Sequence, residues 1–133
     1  MRIFDFLRKK PTLSQDEQKW NRMWDLWTEG KAESPYAELM EYESEVNNGG
    51  HCQYFFNVAN CGDLKASVER LLPILPTRLK DNMKRGYEAF CAQEDLCDDE
   101  ENEALLEECD DVFYENEQLV TDLLKEYANR MEL

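Results

Sequence analysis

This chain is short of helix breakers and of the residues that carry most enzyme chemistry. Five glycines and four prolines in 133 residues leave few places for tight turns. No stretch alternates apolar and polar residues long enough to form a half-buried strand. The single histidine, His51, offers little for acid–base or metal chemistry. It adjoins Cys52, but adjacent helical side chains diverge, so the two do not make a nucleophilic pair. The five cysteines contain no C-x-x-C spacing, which argues against structural zinc. They read as reduced, packed thiols in a cytoplasmic protein. No phosphate-cradling glycine loop is present, and no glycine interrupts the acidic stretch as a calcium loop requires. No metal, cofactor or catalytic residue is therefore assigned. No run is apolar enough to span a bilayer. In Met1 to Lys10 the basic residues follow the apolar ones, which does not suit a secretory signal.

Positive charge is scarce too. Fifteen Lys and Arg face 30 Asp and Glu, for a net charge of −15. Such a chain repels nucleic acid and anionic membrane surfaces and attracts basic partners. The basic patch Arg78, Lys80, Lys84 and Arg85 is small against that excess, so direct nucleic-acid binding is not expected.

The 42% hydrophobic content supports a real core, and the length suits one domain over residues 1–133. Residues 1–10 are amphipathic and expected to dock loosely; one short segment binds lipid weakly, so no membrane partner is expected. Ser14 and Glu17 form a capping box for a helix over 15–29, whose Trp20, Trp24 and Trp27 share one face and should be core. Gly30 ends it. Ser34-Pro35 starts the next helix as N-cap and first residue. Asp63 caps another, carrying Leu64, Val68, Leu71 and Leu72. Thr77 opens a further one with Leu79, Met83, Tyr87 and Phe90 inside. A last helix over 116–131 buries Leu119, Val120, Leu123, Leu124 and Tyr127. The fold class is all-α, a single compact bundle of about six to seven helices.

Two stretches stand apart. In the first, Asn48-Gly49-Gly50 lets the chain stop one helix and re-aim. Gln53 and Asn57 lie four apart after it, placed to bond the freed backbone groups, while Tyr54, Phe55 and Phe56 pack. In the second, residues 94–117 hold many acids and no Lys or Arg. Leu105, Leu106, Val112 and Phe113 interrupt that run at helical spacing, so it is an acidic amphipathic helix rather than a tail.

The run Asn48-Gly49-Gly50, Gln53-Tyr54-Phe55 and Asn57, with Gly62-Asp63 following, resembles the hallmark of the bacterial DNA-mimic protein nineteen family. Phe113-Tyr114 and the Leu123-Leu124, Tyr127 pattern resemble the family's C-terminal end. His51 stands where the family has an aromatic residue. The resemblance implies an all-α domain. It also implies carboxylates placed like duplex phosphates, engaging a DNA-binding protein such as a transcription factor. Sharing the central run transfers the scaffold; mimicry rests on this chain's own acids.

Two functional readings follow. In the first, the protein is a non-enzymatic cytoplasmic binder of a basic protein, through Asp98, Asp99, Glu101, Glu103, Glu107, Glu108, Asp110 and Asp111. In the second, a small-ligand binder or enzyme uses a groove beside the joint, with His51, Gln53, Tyr54 and Asn57 as polar contacts. The two differ in whether those side chains open onto a pocket or are used up internally. A homodimer is left open.

Overall fold

Helix boundaries fall where the chain places its caps, prolines and glycines. The computed structural model describes residues 13–92 and 100–133. The expectations for residues 1–10 and for Asp98 and Asp99 lie outside them.

Helix α1 spans Gln15–Thr28. The Ser14 hydroxyl accepts from the Glu17 N–H at 3.1 Å and donates to the Glu17 carboxylate at 3.1 Å. At its other end Gly30 N–H bonds Trp27 O and Lys31 N–H bonds Leu26 O, the paired closure of a Schellman stop. Helix α2, Tyr36–Cys61, starts one residue later than expected. The Ser34 hydroxyl does not cap its backbone; it donates instead to Glu38 Oε1 at 2.6 Å. Helix α3 is Leu64–Leu71, where the Asp63 carboxylate accepts from Ala66 N–H. Helices α4 (Thr77–Cys91), α5 (Glu100–Glu115) and α6 (Glu117–Ala128) complete the bundle. No strand occurs among the described residues.

The long α2 is the axis of the fold. It packs against α3, α4, α5 and α6, while α1 lies on α6 and α4 on α5. Leu39, Met40, Tyr42, Val46, Tyr54 and Phe55 from α2 are fully buried. They meet Leu79 and Met83 of α4, Leu106 and Phe113 of α5, and Val120 and Leu124 of α6 in one core. A helix with neighbours on most sides needs apolar residues on most sides, and α2 has no single apolar face. The three tryptophans of α1 do not sit at the centre of this core. Trp20, Trp24 and Trp27 are half-buried at its edge, packed edge-to-face, and Met23 is the α1 side chain that goes fully inside.

A reciprocal pair ties α4 to α5. The Asn82 amide donates to the Cys109 carbonyl at 2.8 Å, and the Cys109 thiol points to the Asn82 carbonyl at 3.9 Å. Cys61 and Cys91 are free and exposed; Cys109 is free and buried. Cys52 is disulfide-bonded, which corrects the expectation of five reduced thiols. Burial pushes the Cys109 thiol up to about 11 from the usual 9.0. Alkylation of the native protein at pH 8, read by peptide mass spectrometry, is expected to modify Cys61 and Cys91 within minutes and to leave Cys109 unmodified until denaturant is added. Because the fold holds the Cys109 proton more tightly than the unfolded chain does, this thiol contributes a loss of stability as pH rises above about 9.

Candidate interaction surface and the joint beneath it

The Asn48-Gly49-Gly50 joint breaks α2 into two helical halves that meet at a sharp kink, with no loop between them. Gly49 (φ −155°, ψ 19°) and Gly50 (φ 77°, ψ −176°) leave helical geometry while the helix continues on both sides. A Cβ on Gly49 would collide with the Gln53 side chain, which folds over it. Gly50 occupies a backbone region open essentially to glycine alone. A Cβ there would also lie 2.5 Å from Asp110 Oδ2.

Asp110 reaches this point from α5. Its Oδ1 accepts from the His51 backbone N–H at 2.7 Å and from His51 Nδ1 at 2.6 Å. The carboxylate thereby caps the restarted helix, where free N–H groups and the helix dipole favour an anion. A carboxylate only accepts, so Nδ1 carries the ring proton. His51 Nε2 and the Tyr42 hydroxyl are 2.6 Å apart, extending the chain to Asp110–His51–Tyr42. Tyr42 and His51 are fully buried, and burial raises the Tyr42 hydroxyl well above its ordinary value. The His51 ring sits among Tyr42, Phe55 and Phe113, as the aromatic it replaces would.

Beyond the kink, the Gln53 and Asn57 amides both donate to Glu45 Oε2, each at 2.9 Å. Their expected partners were backbone groups; the structure gives them a carboxylate instead. A charged acceptor is the stronger partner, and one oxygen ties together both sides of the bend. Tyr54 is fully buried and its hydroxyl has no hydrogen-bond partner among the described residues. Two clefts lie elsewhere, one between α1 and α6 and one between α2, α3 and the end of α1. His51, Gln53 and Asn57 are thus spent on internal bonds, and Tyr54 is sealed in the core. An Asp–His–hydroxyl chain has the look of a nucleophile triad, but His51 and Tyr42 are fully buried, so neither meets a substrate from solvent in this structure.

The acids of α5 divide by helical position. Asn102, Leu106, Cys109 and Phe113 face inward. Asp110 borders that stripe and is drawn in, its side chain 23% exposed. Glu103, Glu107, Asp111 and Glu115 follow one another at four-residue steps on the outer face, all exposed, and the exposed Glu100 extends the face at its start. Glu108 is exposed and paired with Arg85 of α4. That surface pair contributes little to stability, but it draws an edge between the acidic face and the exposed Arg78 and Lys84. Of the expected contact residues, Glu103, Glu107 and Asp111 therefore lie in one exposed row, while Glu101, also exposed, falls on the Glu108 side of the helix. Glu108 lies at the margin, and Asp110 belongs to the joint.

Sequence reasoning missed three participants, Tyr42, Glu45 and the inward role of Asp110. Asp110 adjoins the buried Cys109 and sits four residues after Leu106, a boundary position that signalled inward contact. Glu45 and Tyr42 carried no local signal.

Among the described residues no helix is long and apolar enough to cross a membrane, and no cluster of His, Cys, Asp and Glu could hold a metal ion. A family model described as DMP19-like protein matches residues 12–131. No curated protein and no solved structure matches the chain.

Proposed function

We propose a function from one premise: the chain belongs to the DMP19-like protein family, whose model matches residues 12–131. On our reading it is a non-enzymatic, cytoplasmic binding protein that engages a basic protein surface, with a DNA-binding protein as the partner class. The observation that carries this reading is the outer face of α5, where Glu103, Glu107, Asp111 and Glu115 form an exposed row on a helix fixed to the core by Leu106, Cys109 and Phe113.

Geometry and charge density support it. Four-residue steps along a helix advance about 6 Å each. One DNA strand carries a phosphate about every 3.4 Å of axis. A single carboxylate row thus has roughly half the linear charge density of a strand. Glu100, exposed beside the row at the start of α5, brings the face closer to it. A basic surface that displaces counterions from DNA meets a comparable field here, already held in place by the bundle.

The test is capture of a partner at low salt from a lysate of the source cell, followed by measurement of its affinity. Affinity is expected to fall on the order of tenfold or more when salt rises from about 50 to about 200 mM, because the contacts are screened charge pairs. Duplex DNA should compete for the captured protein. An affinity indifferent to salt, or a partner that binds DNA and this protein simultaneously, would count against the proposal.

A further inference from the structure

A second negatively charged feature lies away from α5, in a cleft of about 260 Å³ between the end of α1, the start of α2 and α3. Trp27 and Ala32 form one wall, Glu38 and Glu41 another, and Ser67 of α3 closes the side. We propose that this cleft binds an organic cation, a primary ammonium or guanidinium group on a short alkyl chain, with Glu38 and Glu41 matching its charge and Trp27 packing its stem. The proposal does not rest on the acidic face of α5.

Three observations carry it. First, Glu38 is buried, 9% exposed, yet only half satisfied. Its Oε1 accepts from the Ser34 hydroxyl and from Arg70 at 3.2 Å, while its Oε2 is buried with no partner among the described residues. A buried carboxylate oxygen without a donor is costly, and because Oε2 is sealed from solvent in this conformation, a cation in the cleft meets it once the Glu38 carboxylate turns outward. Second, Glu38, Glu41 and Glu45 follow one another along α2 with little to offset them. Among the described residues Glu45 receives the neutral amides of Gln53 and Asn57 and no cation. Arg70, 57% exposed, is the cation that reaches Glu38 among the described residues. Glu41 is held above the usual carboxylate range by burial and by the charges of Glu45 and Glu38. The neighbourhood therefore carries more negative charge than its own side chains compensate. Third, the cleft pairs these acids with an aromatic wall. Trp27 is half-buried and set edge-to-face against Trp24, centroids 5.4 Å apart, so its ring is fixed before any ligand arrives. A carboxylate pair beside an indole suits a cation with an apolar stem and gives no advantage to an anion or a purely apolar group.

Such a cation has two sources, a free small amine or a lysine or arginine side chain on another protein. Both present the same chemistry to the cleft. The experiment is an NMR titration of the full chain with n-butylammonium and with N-butylguanidinium, using n-butanol as the neutral probe of like size. A blocked lysine tripeptide provides the side-chain arm. The expected result is saturable shifts centred on the Trp27 indole N–H, Ala32 and Ser67, with n-butanol giving none. Binding of the tripeptide as well as the amine assigns the site to protein side chains, and binding of the amine alone assigns it to small amines. In Glu41→Gln, affinity should fall about tenfold, the scale of one lost charge-assisted hydrogen bond. In Glu107→Gln, which removes the same charge from α5, it should be unchanged. Circular dichroism on both variants confirms that each remains folded. Shifts that spread over the acidic surface without saturating, that appear equally with n-butanol, or that persist unchanged in Glu41→Gln would overturn the assignment.

Discussion

Gly50→Ala is expected to cost about 2–6 kcal/mol of stability, a large part of the margin of a domain this size. Two independent penalties add. The backbone at φ 77°, ψ −176° lies in a region that L side chains occupy at a cost of roughly 1–3 kcal/mol. The new methyl would also stand 2.5 Å from Asp110 Oδ2. A carboxylate at the end of a free side chain would swing away cheaply. Asp110 is not free, because its other oxygen holds both the backbone N–H and the ring Nδ1 of His51. Moving it leaves two donors in a buried site without their acceptor, at about 1–3 kcal/mol for the group. Urea unfolding should show a lower midpoint with an unchanged slope. Gly30→Ala is the informative companion. Gly30 also has positive φ, but nothing lies within 4 Å of its added Cβ, so only the backbone penalty applies. A Gly50 variant no worse than the Gly30 variant would mean that Asp110 does not brace the kink.

Asp110→Ala is expected to lose about 3 kcal/mol or more, while Asp111→Ala stays within about 0.5 kcal/mol of the parent. Adjacent in sequence, these two aspartates do different work. Asp110 faces inward and accepts from both His51 Nδ1 and the His51 backbone N–H. Removing it strands donors on a fully buried residue and removes the anion at the restarted helix terminus. Asp111 is exposed and belongs to the outer row. For a binding assay the order should reverse: Asp111→Ala weakens partner affinity in a fully folded protein, while Asp110→Ala acts only through folding. Equal stability losses at the two positions would erase the distinction between scaffold and surface on α5.

How much of this was legible in the sequence depends on whether the signal was local. The caps at Ser14 and Asp63, the stop at Gly30 and the inward stripe Leu106, Phe113 announced themselves, because neighbours a few residues apart on the same helix decide them. The helical class and the break at Asn48-Gly49-Gly50 followed in the same way. The depth of the kink did not, since a glycine pair permits a loop, a turn or a bend, and packing of both halves of α2 against α5 and α6 selects the bend. The partners of Gln53 and Asn57 were misjudged because Glu45 lies on the other side of the joint, and its approach depends on the bend angle. The Asp110–His51–Tyr42 chain joins positions 59 and nine residues apart. Nothing in a single helical period could have paired the first two. The tryptophans were placed too deep because a shared face shows which side of α1 packs, not how far from the edge of the bundle it packs. The acidic density of α5 was plain, but its division into a braced Asp110, a paired Glu108 and an open row required the structure.

The account stands on the placement of charge rather than its total. Two variants with identical net charge separate these. One carries Glu103→Lys, Glu107→Lys and Asp111→Lys on the outer row of α5. The other carries Glu29→Lys, Asp122→Lys and Glu132→Lys, exposed acids outside α5. The affinity of each for the captured basic partner, measured at one fixed low salt concentration, is the deciding quantity. Loss of binding by two orders of magnitude or more in the α5 variant, with roughly tenfold or less in the other, is what the account predicts, since contact charges outweigh distant screened ones. Equal weakening in both, or undiminished binding by the α5 variant, would contradict it.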